Sequence, residues 1–184
     1  MATAHVYLAP GFEEVEFVSI VDVLRRGGVF VSTIALDDTL SVEGAHGIVI
    51  QADLPFAAVD GEIADAIVLP GGGPGTQALA ASADLADRLR AYRDAGKRVA
   101  AVCAAPTVLA KAGLLEGKSA TCFPGCEPVL AGHGATVSTY QVVTDGLITT
   151  SRAAGTSGQF ALEVLRLLAG DAKALEVGRA MLYL

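Results

Sequence analysis

The short segment Val102-Cys103-Ala104-Ala105-Pro106 concentrates the chain's clearest chemical potential. A cysteine there ends a β-branched run and stands just before a proline suited to a helix start. At such a strand-to-helix turn, free backbone N–H groups and the positive end of the helix dipole stabilise a thiolate, the nucleophilic form of cysteine. The arrangement is that of a nucleophile elbow without the usual G-x-S-x-G spelling. Small neighbours Ala101, Ala104 and Ala105 suit a tight turn. A plain core thiol is the competing reading, because cysteine is among the most buried residue types.

Glu16 is the second candidate. On a helix it shares a face with Ile20 and Val23, so it points to packed surface, whereas Glu13 and Glu14 are expected to stay wet. A half-buried carboxyl tends to be protonated, and a protonated one donates a hydrogen bond to a thiolate. A helix-start glutamate favoured by the dipole is the alternative. The third feature is the run "PGGGPG". It lacks Gly-Lys-Ser/Thr, Pro74 interrupts any phosphate cradle, and no acidic residue closes a following strand at the dinucleotide distance. Glycines there allow close backbone approach, and the N–H groups of Gly72 and Ala104 form the natural pair to hold a developing oxyanion. Cys122, Cys126 and His133 have loose zinc-like spacing but no evident fourth ligand, so no metal is expected. His46, in "VEGAHGIVI", falls at a hairpin or strand start.

These groups need a scaffold that brings them together. Strands are expected over His5–Ala9, Val29–Leu36, Ala66–Leu69, Val99–Val102 and Leu147–Thr150. Helices are expected over Glu13–Arg26, Ser82–Ala95, Ala105–Lys111 and Gln159–Ala169. This alternation predicts an α/β fold with a mostly parallel sheet and helices on both faces. In such folds ligands sit beyond the carboxyl ends of the strands. That rule selects "APGFEE", "LPGGGPG", "VCAAP" and "TTSRAAGTS", the last bringing Ser151 and Arg152 to the substrate side.

The chain has 184 residues, 52% of them apolar, and reads as one domain over 1–184. A net charge of -7 argues against a nucleic-acid or anionic-membrane partner. There is no basic, apolar leader and no apolar stretch of membrane-spanning length, so a cytoplasmic location is expected. Three cysteines do not make a secreted disulfide framework, and reduced thiols are the default. The apolar end "RAMLYL" is expected to pack on the core or on a second subunit.

Taken in order, "APGFEEVEF", "VDVLRRGG", "IVLPGGGPG", "AAVCAAPTVLAKAGLL", "TCFPG" and "DGLITTSRAAGTSGQFALEVL" resemble the ThiJ/PfpI superfamily, in the branch of the parkinsonism-associated deglycase and its bacterial relative YajL. The likeness runs across nearly the whole chain. It implies a flavodoxin-like three-layer sandwich, a homodimer with the site near its interface, no cofactor, and small dicarbonyl substrates. By motif, Cys103 matches the reactive cysteine, Glu16 its protonated partner, and Gly72 and Ala104 the oxyanion donors. Arg26 matches an arginine that reaches a partner's site. His46 stands where animal members often carry an anion-binding arginine, and His133 lies in the region of a site histidine. The chain departs from the pattern at "CAAP" and "SRAAGT", where the family often has C-A-G-P and S-R-G-P-G-T. Protease-like relatives place histidine directly after the nucleophile; Ala104 stands there instead, which argues against a Cys-His peptidase. The implied activity is a glutathione-independent glyoxalase or a deglycase. An oxidative-stress sensor or chaperone using the same cysteine is the other reading.

Overall fold

A computed structural model describes residues Met1–Leu184. Along the chain the elements are β1 (Thr3–Leu8), α1 (Glu14–Arg26), β2 (Phe30–Ala35), β3 (Ser41–Glu43), β4 (Val49–Gln51), β5 (Leu54–Pro55), β6 (Ala66–Leu69), α2 (Gly73–Ala81), α3 (Ala83–Asp94) and β7 (Arg98–Val102). They continue with α4 (Pro106–Lys111), β8 (Ser119–Ala120), α5 (Glu127–Gly132), β9 (Thr136–Val137), β10 (Val142–Asp145), β11 (Ile148–Ser151), α6 (Ser157–Ala169) and α7 (Asp171–Ala180).

Seven strands form one sheet in the order β10-β11-β7-β6-β1-β2-β5. All neighbours pair in parallel except β10 with β11. Period-2 alternation sends successive side chains to opposite faces. From β1, Ala4, Val6 and Leu8 enter a 25-residue core beneath α1, α6 and α7, while Tyr7 enters a 24-residue core beneath α2, α3, α4 and α5. The two cores make the expected three layers. No helix is long and apolar enough to cross a membrane.

Some boundaries differ from the sequence reading for local reasons. Helix α2, not among the helices expected, starts inside the glycine run at Gly73 with Pro74 in its first turn. The single helix expected over Ser82–Ala95 begins one residue later, after Ser82 caps α3 by accepting the Leu85 N–H at 3.1 Å. The pair β8–β9, the antiparallel edge β10 and the helices α5 and α7 had no clear signal, and the β3–β4 hairpin was signalled only at its turn, around His46. The strands among them are two to four residues long, too short for periodicity to register.

Topology fixes the site. Strand order turns back at β1: β2 lies on one side of it, while β6, β7 and β11 follow on the other. Loops after β1, β6, β7 and β11 therefore meet at one end of the sheet, where a crevice forms in open α/β folds. Backbone bonds tie them: Glu13 N–H to Gly71 O at 3.1 Å, Gly75 N–H to Gly11 O at 3.1 Å and Cys103 N–H to Ser151 O at 3.0 Å.

The C-terminal segment folds back on the chain's own helices. The Tyr183 N–H bonds the Gly178 carbonyl at 2.9 Å. A Cβ on Gly158 would lie 2.8 Å from Tyr183 Cζ, and one on Gly178 would lie 2.6 Å from Leu184 Cδ1. Deleting Met181–Leu184 is expected to remove about 1.5 kcal/mol of burial. In thermal denaturation this is a Tm drop of roughly 3–6 °C for a domain of this size; an unchanged Tm would show that the segment contributes nothing.

Candidate active site

Cys103 follows β7 with φ of 63°, in the left-handed region that residues bearing a Cβ seldom adopt. Two backbone bonds hold it there. Its N–H donates to Ser151 O at 3.0 Å, and its carbonyl accepts the Phe123 N–H at 2.7 Å. The strained turn lifts the side chain out of the strand register, leaving the thiol partly exposed. Helix α4 begins only at Pro106, not at Ala105. The N–H groups that favour a charge on the sulfur are those of Gly72 and Ala104.

Gly72 can serve because it has no side chain. Its φ is 94°, and a Cβ would stand 2.3 Å from Gly11 O. Gly71 is equally confined, with a Cβ position 2.6 Å from Cys103 Cβ and 2.7 Å from Glu16 Oε2. These absences let the β6 loop pass between the carboxyl and the thiol.

Glu16 is fully buried rather than half-buried. Glu13 caps its helix, accepting the Glu16 N–H at 2.7 Å. Glu16 Oε2 accepts the Gly71 N–H at 2.7 Å, while Oε1 is buried without a donor. Burial pushes the carboxyl up to about 7, against the pull of the Gly71 N–H and of the nearby Cys103 thiol. Burial also pushes the Cys103 thiol up to about 12; the Glu16 charge adds to this, and the Gly72 and Ala104 N–H groups oppose it. The two groups share one charge. With Glu16 ionised the sulfur keeps its proton. With the proton on Glu16, its donorless oxygen becomes an O–H donor, the repulsion disappears, and two amides remain to hold a thiolate.

The other sequence-derived residues are placed as follows. His46 sits at the turn of the β3–β4 hairpin, which is strapped to the β1–α1 loop by Gly11 N–H to Glu43 O and Ala45 N–H to Phe12 O, both 2.8 Å. Its exposed ring places Nδ1 2.7 Å from Glu14 Oε2, and its N–H bonds Oε1 at 2.6 Å. Glu14, expected to stay wet, is buried. Burial raises its carboxyl, but hydrogen bonds from the His46 ring and N–H and from the Glu14 and Ile48 N–H groups together hold it below the usual range. The contact with Glu14 raises His46. Sequence reasoning missed this pairing because the partners are 32 residues apart and share no local pattern.

Arg152 is half-buried, with Nη2 3.6 Å from Glu127 Oε1 and Nη1 buried without a partner. Two substrate-side expectations, Ser151 and His133, need correction. The Ser151 hydroxyl is fully buried, donating to Gln141 O at 2.7 Å and lying 2.8 Å from Thr156 Oγ1; what Ser151 gives the site is its carbonyl. His133 closes α5, its Nδ1 2.8 Å from Val129 O. There the chain pairs with residues 117–119 and, through Ser119, with Asp145 at the opposite end of the sheet from Cys103. About 10 Å of helix separates His133 from Cys126, so the Cys122–Cys126–His133 set does not converge. Arg26 ends α1 on the exposed surface, paired with Asp22 at 2.8 Å, and does not reach the thiol of its own chain.

Because the folded Glu16 value of about 7 lies above its ordinary 4.5, the native state holds an extra proton between those pH values. Stability should fall as pH rises through that window. The urea midpoint measured from pH 4.5 to 7 is expected to decline in the wild type and to lose most of that slope in Glu16→Gln.

A family model described as "DJ-1/PfpI family" matches residues 2–167. The chain is 42% identical over 180 residues to "Protein dj-1beta" of Drosophila melanogaster, covering 98% of this chain and 96% of that one. The crystal structure of that fly protein superposes with a TM-score of 0.95 at 41% identity, over 98% and 97% of the two chains. "Toxoplasma gondii DJ-1, oxidized" gives 0.94 at 32% identity over 99% and 98%. The chain is also 32% identical over 161 residues to "Glutathione-independent glyoxalase DJR-1.2" of Caenorhabditis elegans, covering 88% of this chain and 85% of that one.

Proposed function

The chain belongs to the DJ-1/PfpI family, and from that membership and the geometry around Cys103 we propose that it is a cofactor-independent, glutathione-independent glyoxalase acting on methylglyoxal or glyoxal. The observation that carries this is a strained, half-exposed thiol near two backbone amides that favour its charge and a buried carboxyl that opposes it.

In the proposed cycle the Cys103 thiolate adds to the aldehyde carbon of methylglyoxal. The carbonyl oxygen takes up the negative charge beside the Gly72 and Ala104 N–H groups and is protonated to a hemithioacetal. Glu16 is the buried acid–base group whose charge is coupled to that of the sulfur. It removes the proton from the former aldehyde carbon while the ketone oxygen gains one, giving an enediol; the neighbouring carbon then takes a proton as the first hydroxyl loses its own, giving a lactoyl thioester. Water cleaves the thioester, releasing lactate and the thiol. The net change is addition of one water, with no external oxidant or reductant. The same thiol chemistry extends to glycated adducts, the deglycase form of the reading, to be assayed after free dicarbonyl is removed.

A homodimer is part of the proposal. Val15 and Val18 on α1 and Ile48 and Val49 on the hairpin are exposed around the Glu14–His46 contact, an apolar patch suited to a second copy. The competing reading, a redox sensor in which Cys103 is oxidised stepwise to the sulfinic acid, draws support from the relative solved in an oxidised form. Turnover separates them, since a sensor reacts once per thiol.

Proton NMR of purified protein with excess methylglyoxal and no glutathione is expected to show lactate accumulating over many equivalents. Cys103→Ser should abolish it, and Glu16→Gln should lower kcat by about 10²-fold or more. Absence of wild-type turnover, with Cys103 still readily oxidised, would favour the sensor.

A further inference from the structure

Beside the thiol site, metal-ligating side chains from two separate elements converge. Glu13 and Glu14 open α1, His46 tips the β3–β4 hairpin, and one ligand atom from each lies within 4.8 Å of the other two. We propose that Glu13, Glu14 and His46 form a binding site for a first-row divalent cation of the Zn²⁺ and Co²⁺ class.

The spacing fits such an ion. Carboxylate oxygen and imidazole nitrogen sit about 2.0–2.2 Å from Zn²⁺. Two ligands of one ion therefore lie at most about 4.4 Å apart, so the three groups need only small side-chain adjustments. The donor set, two hard oxygens and one borderline nitrogen, suits the first-row dications better than Mg²⁺, which keeps its waters, or Ca²⁺, which takes six or more oxygens.

The site is also held in place before any ion arrives. Glu14 is only 4% exposed, and its two oxygens meet the His46 N–H at 2.6 Å and the ring Nδ1 at 2.7 Å. Gly44 presses on the carboxylate so closely that a Cβ would stand 2.4 Å from Oε1. Glu13 gives Oε2 to the Glu16 N–H and keeps Oε1 for a ligand. The hairpin bonds at Glu43 and Ala45 stop the imidazole from drifting away from the helix.

An ion entering here takes the place of the proton between Nδ1 and Glu14 Oε2, which is released to solvent. Three protein ligands leave at least one position of a tetrahedral ion to water. Zn²⁺ would also be drawn to the three thiols, so the test must distinguish oxygen and nitrogen ligands from sulfur.

Co²⁺ titration followed by visible and near-ultraviolet absorption does this, since thiolate ligation adds an intense sulfur-to-cobalt band that carboxylate and imidazole lack. The full-length protein is expected to bind one Co²⁺ per chain without that band, and with release of protons. Binding should persist in Cys103→Ser/Cys122→Ser/Cys126→Ser and weaken at least tenfold in His46→Ala and in Glu13→Gln, with circular dichroism unchanged. If the triple variant fails to fold, the absence of the sulfur band in wild type together with the His46→Ala loss carries the same conclusion. No saturable binding, a thiolate band, or full affinity in a folded His46→Ala would each overturn the proposal.

Discussion

A single shared charge, buried between Glu16 and Cys103, sets the terms for the rest of this structure. A carboxyl with no exposure and one donorless oxygen cannot remain ionised beside a thiolate, so one proton must lie on one of the two groups. Three segments must approach closely for that arrangement to exist. The first turn of α1 delivers the acid, the β6 loop delivers the Gly71 and Gly72 amides between the partners, and β7 ends in the thiol itself. Only a parallel sheet whose order turns back near β1 sets those three strand ends side by side.

Holding Cys103 at positive φ costs about 1–2 kcal/mol, and the surroundings over-determine it. Its N–H and carbonyl are taken by Ser151 at the end of β11 and by Phe123 in the loop after β8. Ser151 is fixed in turn by Gln141 and Thr156. The elbow rests on cores of 25 and 24 buried residues, one on each face of the sheet. Strain of this size persists where packing leaves the backbone no lower alternative, and its effect is to present a sulfur to solvent while its partner acid stays dry.

The rim has a different character. The β3–β4 hairpin adds nothing to the central sheet and packs instead on the first turn of α1. It turns Glu14, which a helix start would otherwise leave in water, into a buried carboxylate paired with His46. Acidic groups thus serve two opposite purposes within three residues of helix: Glu16 is kept from its charge by desolvation, and Glu14 is kept charged by its neighbour.

The sequence by itself determined the alternation of strands and helices, the end of the sheet where chemistry gathers, and the candidacy of Cys103, Glu16, Gly72 and Ala104. Those follow from local rules of periodicity, turn residues and strand-end position. Ser151, His133 and Glu14 were misjudged because their surroundings come from distant segments. Ser151 is sealed by Gln141 and Thr156, His133 is carried to the far end of the sheet as α5 runs back, and Glu14 is enclosed by a hairpin whose three-residue strands leave no periodic signal. Tertiary structure alone decided how dry Glu16 is, which way the Cys103 backbone turns, and that two carboxylates and an imidazole share one corner, because desolvation and convergence depend on segments far apart in the chain.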